Sequence, residues 1–127
     1  MLRLLITGSR KWIDTDAIRA EFDIVASKEG TNVLLVSGAC PLGADRMCEL
    51  IAPEYGWQVE LHPLNWKSGP NGAYNSQAGF ERNKLMVDLG ADLVLAFIMN
   101  NSGGAMNTVG HSYKAGIPTK EIHRKGA

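Results

Sequence analysis

The chain contains only two cysteines, Cys40 and Cys48, among 127 residues. Their spacing matches neither CxxC nor a zinc knuckle, so neither a disulfide scaffold nor a structural metal is expected, and both thiols are read as reduced. The three histidines, His62, His111 and His123, are scattered without an HExxH-type pattern. Long apolar runs are also missing. The longest, Leu93 to Met99, falls far short of the ~20 residues of a spanning helix. Leu4 to Ile6 is too short for the core of a signal peptide, so a cytoplasmic location with no membrane contact is expected. Neither sign of charge is in excess, because 13 Lys plus Arg balance 13 Asp plus Glu. Without a net positive field, and with three Trp, three Tyr and three Phe in all, the chain lacks the usual equipment for gripping long nucleic acid. Proline is sparse at 5 residues, yet hydrophobic residues make up 45% and glycines number 14, which excludes disorder and collagen-like structure. A chain of this length is expected to form one domain, 1–127, that buries roughly two thirds of its unfolded surface.

What is present is a regular alternation of apolar runs and amphipathic segments. Leu2 to Thr7 predicts a strand, and the Asp14-Thr15-Asp16 cluster predicts the start of a helix that turns Ile18, Phe22 and Val25 inward. Val33 to Ser37 predicts a buried strand. A helix opening at Asp45 follows, with Met47, Leu50 and Ile51 on one face, and Pro53 should end it near Ala52. Gln58 to His62 is a third strand, and a long Pro/Asn/Gly-rich connection then runs from Pro63 to about Gln77. Loops of that length are often functional. Gly79 to Leu89 predicts a helix with Leu85, Met86 and Leu89 inward and Gly90 as its stop. Asp92 to Met99 is the most apolar strand and therefore central in a sheet covered on both faces. A last helix from about Met106 to Ala115, with Val109 and Tyr113 inward, precedes a final strand from Pro118 to Ile122. The alternation predicts an α/β, Rossmann-like, doubly wound three-layer sandwich. Its mainly parallel sheet has about five strands in the order 3-2-1-4-5.

In such a sheet ligands sit outside the carboxyl ends of the strands where the strand order reverses. Three small-residue loops fall at those ends: Gly8-Ser9-Arg10, Gly38 to Asp45, and Ser102-Gly103-Gly104-Ala105. Glycine lets backbone N–H groups approach a ligand, and a helix N-terminus adds partial positive charge, so the three together suit phosphate or another anion. None is a Walker A loop or a GxGxxG fingerprint, which removes the main support for an ATPase or an ordinary dehydrogenase. Arg10 can pair with phosphate oxygens. Trp12 either stacks on a base or packs in the core.

Thr7-Gly8-Ser9-Arg10-Lys11-Trp12, Ser37-Gly38-Ala39 with Gly43-Ala44-Asp45-Arg46, Pro63-Leu64-Asn65-Trp66, and Ala78-Gly79-Phe80-Glu81-Arg82-Asn83-Lys84-Leu85-Met86-Val87 occur in an order and spacing that resemble the YspA/cpYpsA-related family of the SLOG superfamily. The four blocks span nearly the whole chain. That superfamily includes LOG-type nucleotide phosphoribohydrolases, the DNA-processing protein DprA and nucleotide-signal sensor domains. The resemblance therefore implies a nucleotide or nucleotide-derived ligand. It also implies that Gly8, Ser9 and Arg10 form a first phosphate-side loop and Gly38, Gly43, Ala44 and Asp45 a second. Arg82 stands where LOG enzymes carry a catalytic arginine at a helix start. The fourth-strand loop departs from the LOG pattern, since Gly104-Ala105-Met106-Asn107-Thr108 offers no glutamate to assist glycosidic cleavage.

Two functions from different classes follow. The leading one is a non-catalytic binding module for a nucleotide-derived signal, needing no further cofactor, acting in the cytoplasm as a homo-oligomer. Its ligand contacts are expected from Gly8, Ser9, Arg10, Trp12, Gly38, Ala39, Gly43, Ala44, Asp45, Arg82, Asn83, Ser102, Gly103, Gly104 and Thr108. The alternative is a LOG-like hydrolase of an N-glycoside, with Asp45 as the carboxylate and Arg82 on the phosphate. Asp45 can equally be a helix N-cap. Arg82 can equally be a structural brace, and Glu81 can cap its helix or pair with Arg82.

Overall fold

The computed structural model of the protein describes residues 1–100 and 102–125. Its chain runs β1 (Leu2–Gly8), α1 (Thr15–Glu29), β2 (Val33–Ser37), α2 (Ala44–Ile51), β3 (Gln58–Leu61), α3 (Ala78–Asp88), β4 (Leu93–Met99), α4 (Gly103–Lys114) and β5 (Thr119–Arg124). The strands form one sheet in the order β3-β2-β1-β4-β5, and every neighbouring pair is parallel. Leu4 of β1 lies beside Leu35 on one side and Leu93 on the other, so β1 is central. The predicted architecture and strand order are those observed. Among the described residues no helix is long and apolar enough to cross a membrane.

Burial along β1 and β4 is continuous rather than alternating because helices cover both faces of the sheet. Leu4, Ile6, Leu35, Leu95 and Phe97 face α1 and α2, where they join Trp12, Ile18, Phe22, Cys48 and Trp57 in the larger core. Leu5, Val36 and Val94 point the other way, onto Met86 and Val87 of α3. Ala96 and Ile98 meet Ala105 and Val109 of α4. Asp14 caps α1 as expected, its Oδ1 accepting from the Ala17 N–H at 3.0 Å. Gly30 closes that helix with φ +58°, a left-handed conformation that glycine adopts without strain. Pro53 lies in a short 3₁₀ turn, Ala52–Tyr55, that follows α2 directly.

Four side chains predicted to point inward do not. Leu50, Leu85, Leu89 and Tyr113 are about half exposed. At 3.6 residues per turn, the buried face of α2 is Ala44, Cys48 and Ile51, and Leu50 lies well round the helix from it. On α3 the buried stripe includes Asn83, Met86 and Val87, leaving Leu85 and Leu89, spaced i and i+4, as a row on the outside. Apolar residues occur all round this helix, so spacing alone does not select its inner face. Tyr113 lies outside the core and donates its hydroxyl to Glu121. Helix α4 begins at Gly103, not Met106, which brings its N-terminus closer to the end of β4.

Candidate ligand cleft

The loop after β1 is packed from beneath. A Cβ on Gly8 would overlap the Ala44 side chain and the Phe97 carbonyl, so only glycine lets α2 approach β1 here. Ser9 is almost fully buried and acts as a junction. Its N–H donates to Phe97 O at 2.9 Å, and its carbonyl accepts from Trp12 and Ala44 N–H. Its hydroxyl receives the Met99 N–H at 2.8 Å. Those bonds occupy Ser9 within the fold and aim the exposed Arg10 and Lys11 outward. Trp12 is buried, edge-on to Phe97 at 5.5 Å between ring centroids, with its indole N–H on the Asp14 carbonyl. Its ring belongs to the core and does not line the cleft.

The loop after β2 is held open by its own side chains. Ala39 has φ +58°, a left-handed conformation that costs a residue with a Cβ roughly 1–2 kcal/mol. The strain is held by hydrogen bonds on both sides: Ala39 N–H to Ser37 Oγ at 3.1 Å, and Cys40 N–H to Asp45 Oδ2 at 3.2 Å. Gly43, at φ +74°, occupies the N-cap position of α2, and no side chain caps that helix. The N-cap reading of Asp45 is therefore corrected: its carboxylate reaches back across the loop instead. Burial pushes the Asp45 carboxyl up to about 6, against the opposing pull of the Cys40 N–H and the Arg82 charge. One turn further on, Glu49 accepts from Ser37 Oγ at 2.7 Å, a second carboxylate behind the loop that sequence inspection of the loops alone misses. Burial also pushes the neighbouring Cys48 thiol well up, which keeps it protonated and inert.

Arg82, in the second turn of α3, lies across this loop. It donates from one guanidinium nitrogen to Gly38 O at 2.5 Å and His62 O at 3.4 Å, and from Nε to Asn83 Oδ1 at 3.1 Å. A Cβ on Gly38 would sit 2.8 Å from the guanidinium carbon, so the glycine makes room for the arginine. Burial lowers the Arg82 pKa from its ordinary value, opposed by the Asp45 charge. Asn83 is buried and ties α3 to α4 through Asn107 Oδ1 at 3.1 Å and Gly104 O at 3.4 Å. Glu81 neither caps a helix nor pairs with Arg82, and instead accepts from the Asn75 amide at 2.9 Å. At α4, Ser102 occupies the N-cap without a side-chain cap bond, leaving the first-turn N–H groups of Gly103, Gly104 and Ala105 without intrahelical acceptors.

These pieces enclose a cavity of about 780 Å³ at the carboxyl ends of β1, β2 and β4. Gly8, Ser9, Arg10, Gly38, Ala39, Asp45, Arg82, Asn83, Ser102 and Gly104 line it. Gly43, Ala44, Gly103, Thr108 and Trp12 do not. Gly43 packs behind, where a Cβ would overlap the Ser9 carbonyl, and Thr108 is fully buried with an Oγ1 that has no partner among the described residues. The wall also includes residues not anticipated from the sequence, among them Lys11, Pro63, Leu64, Trp66 and Met99. The long loop after β3 was the available signal for Leu64 and Trp66. Asp45 is the acidic residue in this wall, against Arg10, Lys11 and Arg82. Among the described residues no cluster of three or more metal-ligating side chains forms.

An all-parallel sheet with its cleft where the order reverses between β1 and β4, floored by glycine loops, defines a Rossmann-like domain. The chain matches the YspA, cpYpsA-related SLOG family over residues 2–69, and it belongs to that family. The match takes in both N-terminal loops and Trp66, while Arg82, Asn83 and α4 lie beyond it. The chain is also 33% identical over 123 residues to the Gene 61 protein of Mycobacterium phage D29, covering 93% of this chain and 94% of that one. Membership in the SLOG family implies a nucleotide-related ligand.

Proposed function

We propose that the protein binds a nucleotide or nucleotide-derived small molecule in this cleft without consuming it. In this reading a phosphate sits between the α4 N-terminus and the guanidinium groups of Arg10 and Arg82, where helix dipole, unpaired N–H groups and charge all favour an anion. The observation that carries it is the meeting of three loops and Arg82 around one cavity of about 780 Å³, within the usual range for small-molecule sites of roughly 300–1,000 Å³. The whole chain, 1–127, acts as one such module in the cytoplasm. It works as a homo-oligomer, for which the exposed Leu85 and Leu89 row of α3 is one apolar surface. Mass spectrometry of small molecules that co-purify with the protein identifies the ligand. A cognate ligand at ~100 times its Kd adds about 2.7 kcal/mol, a rise in Tm on the order of 10 °C for a domain of this size. No shift across nucleotides, dinucleotides and ADP-ribose derivatives refutes the binding reading, and a monomer in sedimentation at micromolar concentration refutes the oligomer.

One observation favours a second reading. Asp45 is a buried carboxyl in the cavity wall, pushed up to about 6 and close to Arg82, and enzymes tune general acids in this way. As an N-glycosidic hydrolase the protein would release a free base from a nucleoside monophosphate, and Asp45→Asn would abolish the release. Product formation separates the two readings.

A further inference from the structure

Beside the main cavity lies a smaller lobe of about 220 Å³, walled by Trp66 and Phe80 and sharing Arg10, Arg82 and Asn83 with the larger space. Both rings are substantially exposed, Trp66 at 41% and Phe80 at 49%, whereas Trp12 and Trp57 are buried. The Trp66 ring is not loose. Tyr74 stacks behind it at 5.8 Å between centroids and 14° between planes. The loop itself is cross-tied: Asn75 N–H donates to Trp66 O at 2.6 Å, Gly69 N–H to Ala73 O at 3.0 Å, and the Asn75 amide to Ser68 Oγ and Glu81 Oε2 at 3.0 and 2.9 Å. A preset, exposed indole at the edge of a cationic cleft is costly to leave in water and cheap to cover with a flat ring, since its ordering has already been met.

We infer that this lobe is the base-stacking subsite of the cleft, taking the nucleobase on Trp66 and Phe80 while the attached phosphate reaches Arg10 and Arg82. The inference rests on the nucleotide-binding reading above and adds to it which residues select a base-bearing ligand. Charge supports the assignment. Among the described residues the charged side chains in the wall of the lobe are the two arginines, and they stand at the junction where a phosphate joined to the base would lie. Stacking accepts any base face, and the Ser76 hydroxyl in the same wall can read an edge.

The test titrates the intact chain and its Trp66→Leu, Trp66→Phe and Phe80→Leu variants with 5′-AMP, 5′-GMP, 5′-CMP, 5′-UMP, ADP-ribose and the base-free ribose 5-phosphate. Calorimetry and tryptophan fluorescence are the readouts. Because Trp12 and Trp57 are buried, Trp66 is the indole that acrylamide quenches in the free protein. The tightest nucleotide is expected to shield it, and Trp66→Leu to weaken that nucleotide about tenfold or more, the scale of one base–aromatic stack. Phe80→Leu weakens it less, Trp66→Phe restores most of the affinity, and ribose 5-phosphate binds every variant alike. Unchanged nucleotide affinity in both leucine variants, or an equal loss for ribose 5-phosphate, overturns the subsite and leaves the nucleotide reading standing. No binding of any probe overturns both. Shielding of Trp66 before ligand is added, lost on dilution, assigns the face to a second copy of the chain and also overturns the subsite.

Discussion

The two faces of the sheet are built differently. Against α1 and α2 the packing is large and aromatic: Phe22 lies 4.8 Å from Trp57 and 5.8 Å from Tyr55 between ring centroids, and Trp12 meets Phe97. Against α3 and α4 the buried side chains are smaller, Ala96, Ala105, Val87, Val94 and Val109 among them. Polar ties hold that side together, Asn83 to Asn107 and Ser112 to Thr119 at 2.8 Å. Apolar area accounts for most of the stability of a fold, so the first face anchors the protein. The second face carries Arg82, Asn83 and the α4 N-terminus, which line the cleft. The scaffold and the site thus meet along the β1–β4 seam while depending on different kinds of interaction.

The sharpest way to break that contrast is in the aromatic face. Phe22→Ala removes a fully buried ring and is expected to cost about 3–5 kcal/mol, read as a large fall in Tm or urea midpoint. A loss no greater than that of Val109→Ala, about 1.5 kcal/mol from two methyl groups, would mean the two faces contribute alike.

Asp45 comes next. Its folded value of about 6 lies above the ordinary 3.8, so the native state favours the protonated form. The favourable contribution is complete below about pH 3.8 and is lost as the pH rises through about 6. Asp45→Asn keeps an acceptor for the Cys40 N–H and removes the buried charge. Its stability at pH 8 should rise by up to on the order of 3 kcal/mol relative to wild type, and the difference should shrink toward pH 4. Chemical denaturation across that pH range gives the answer, and a constant difference would place the cause elsewhere.

Arg82→Ala should do two things at once. It removes donors to Gly38 and His62 carbonyls, a loss of about 1.5–3 kcal/mol for charged hydrogen bonds in a partly buried setting, and it weakens any phosphate-bearing ligand. Arg82→Lys keeps the charge without the planar fork, so it should recover part of the affinity but little of the brace. Paired Tm and affinity measurements on the two variants separate those roles. The smallest effect is expected at Thr108, whose buried Oγ1 lacks a partner among the described residues. Thr108→Val should stabilise the fold by about 1 kcal/mol and leave ligand affinity unchanged, and a loss of affinity would return Thr108 to the cleft.

Element order and the strand runs were legible because burial on both faces forces continuous apolar segments such as Leu93–Met99, and because Asp14 marks its helix start chemically. The inner faces of α3 and α4 were legible only in part: Met86 and Val109 are buried as expected, Leu85, Leu89 and Tyr113 are not. Leu85, Leu89 and Tyr113 satisfy a helical period as well as Met86 and Val109 do, and only the position of the sheet chooses between them. The glycine loops could be located along the chain. Which of their residues face the cavity and which pack behind it depends on how closely α2 approaches β1.

Period, polarity and the need to satisfy backbone groups are local properties, and they are enough to set the strand and helix order and to bring the glycine loops to one sheet edge. The chemical state of the site is not local. Asp45 stays a buried carboxyl near pH 6 and not a helix cap because Gly43 takes the cap position and Arg82, 37 residues later in the chain, closes over the loop. Trp66 gains its stacked partner and its place on the cleft wall only when the loop after β3 is tied down. Desolvation, ring stacking and guanidinium geometry all depend on which distant atoms arrive within a few ångströms, and that is decided when the sheet, the helices and the loops close on one another.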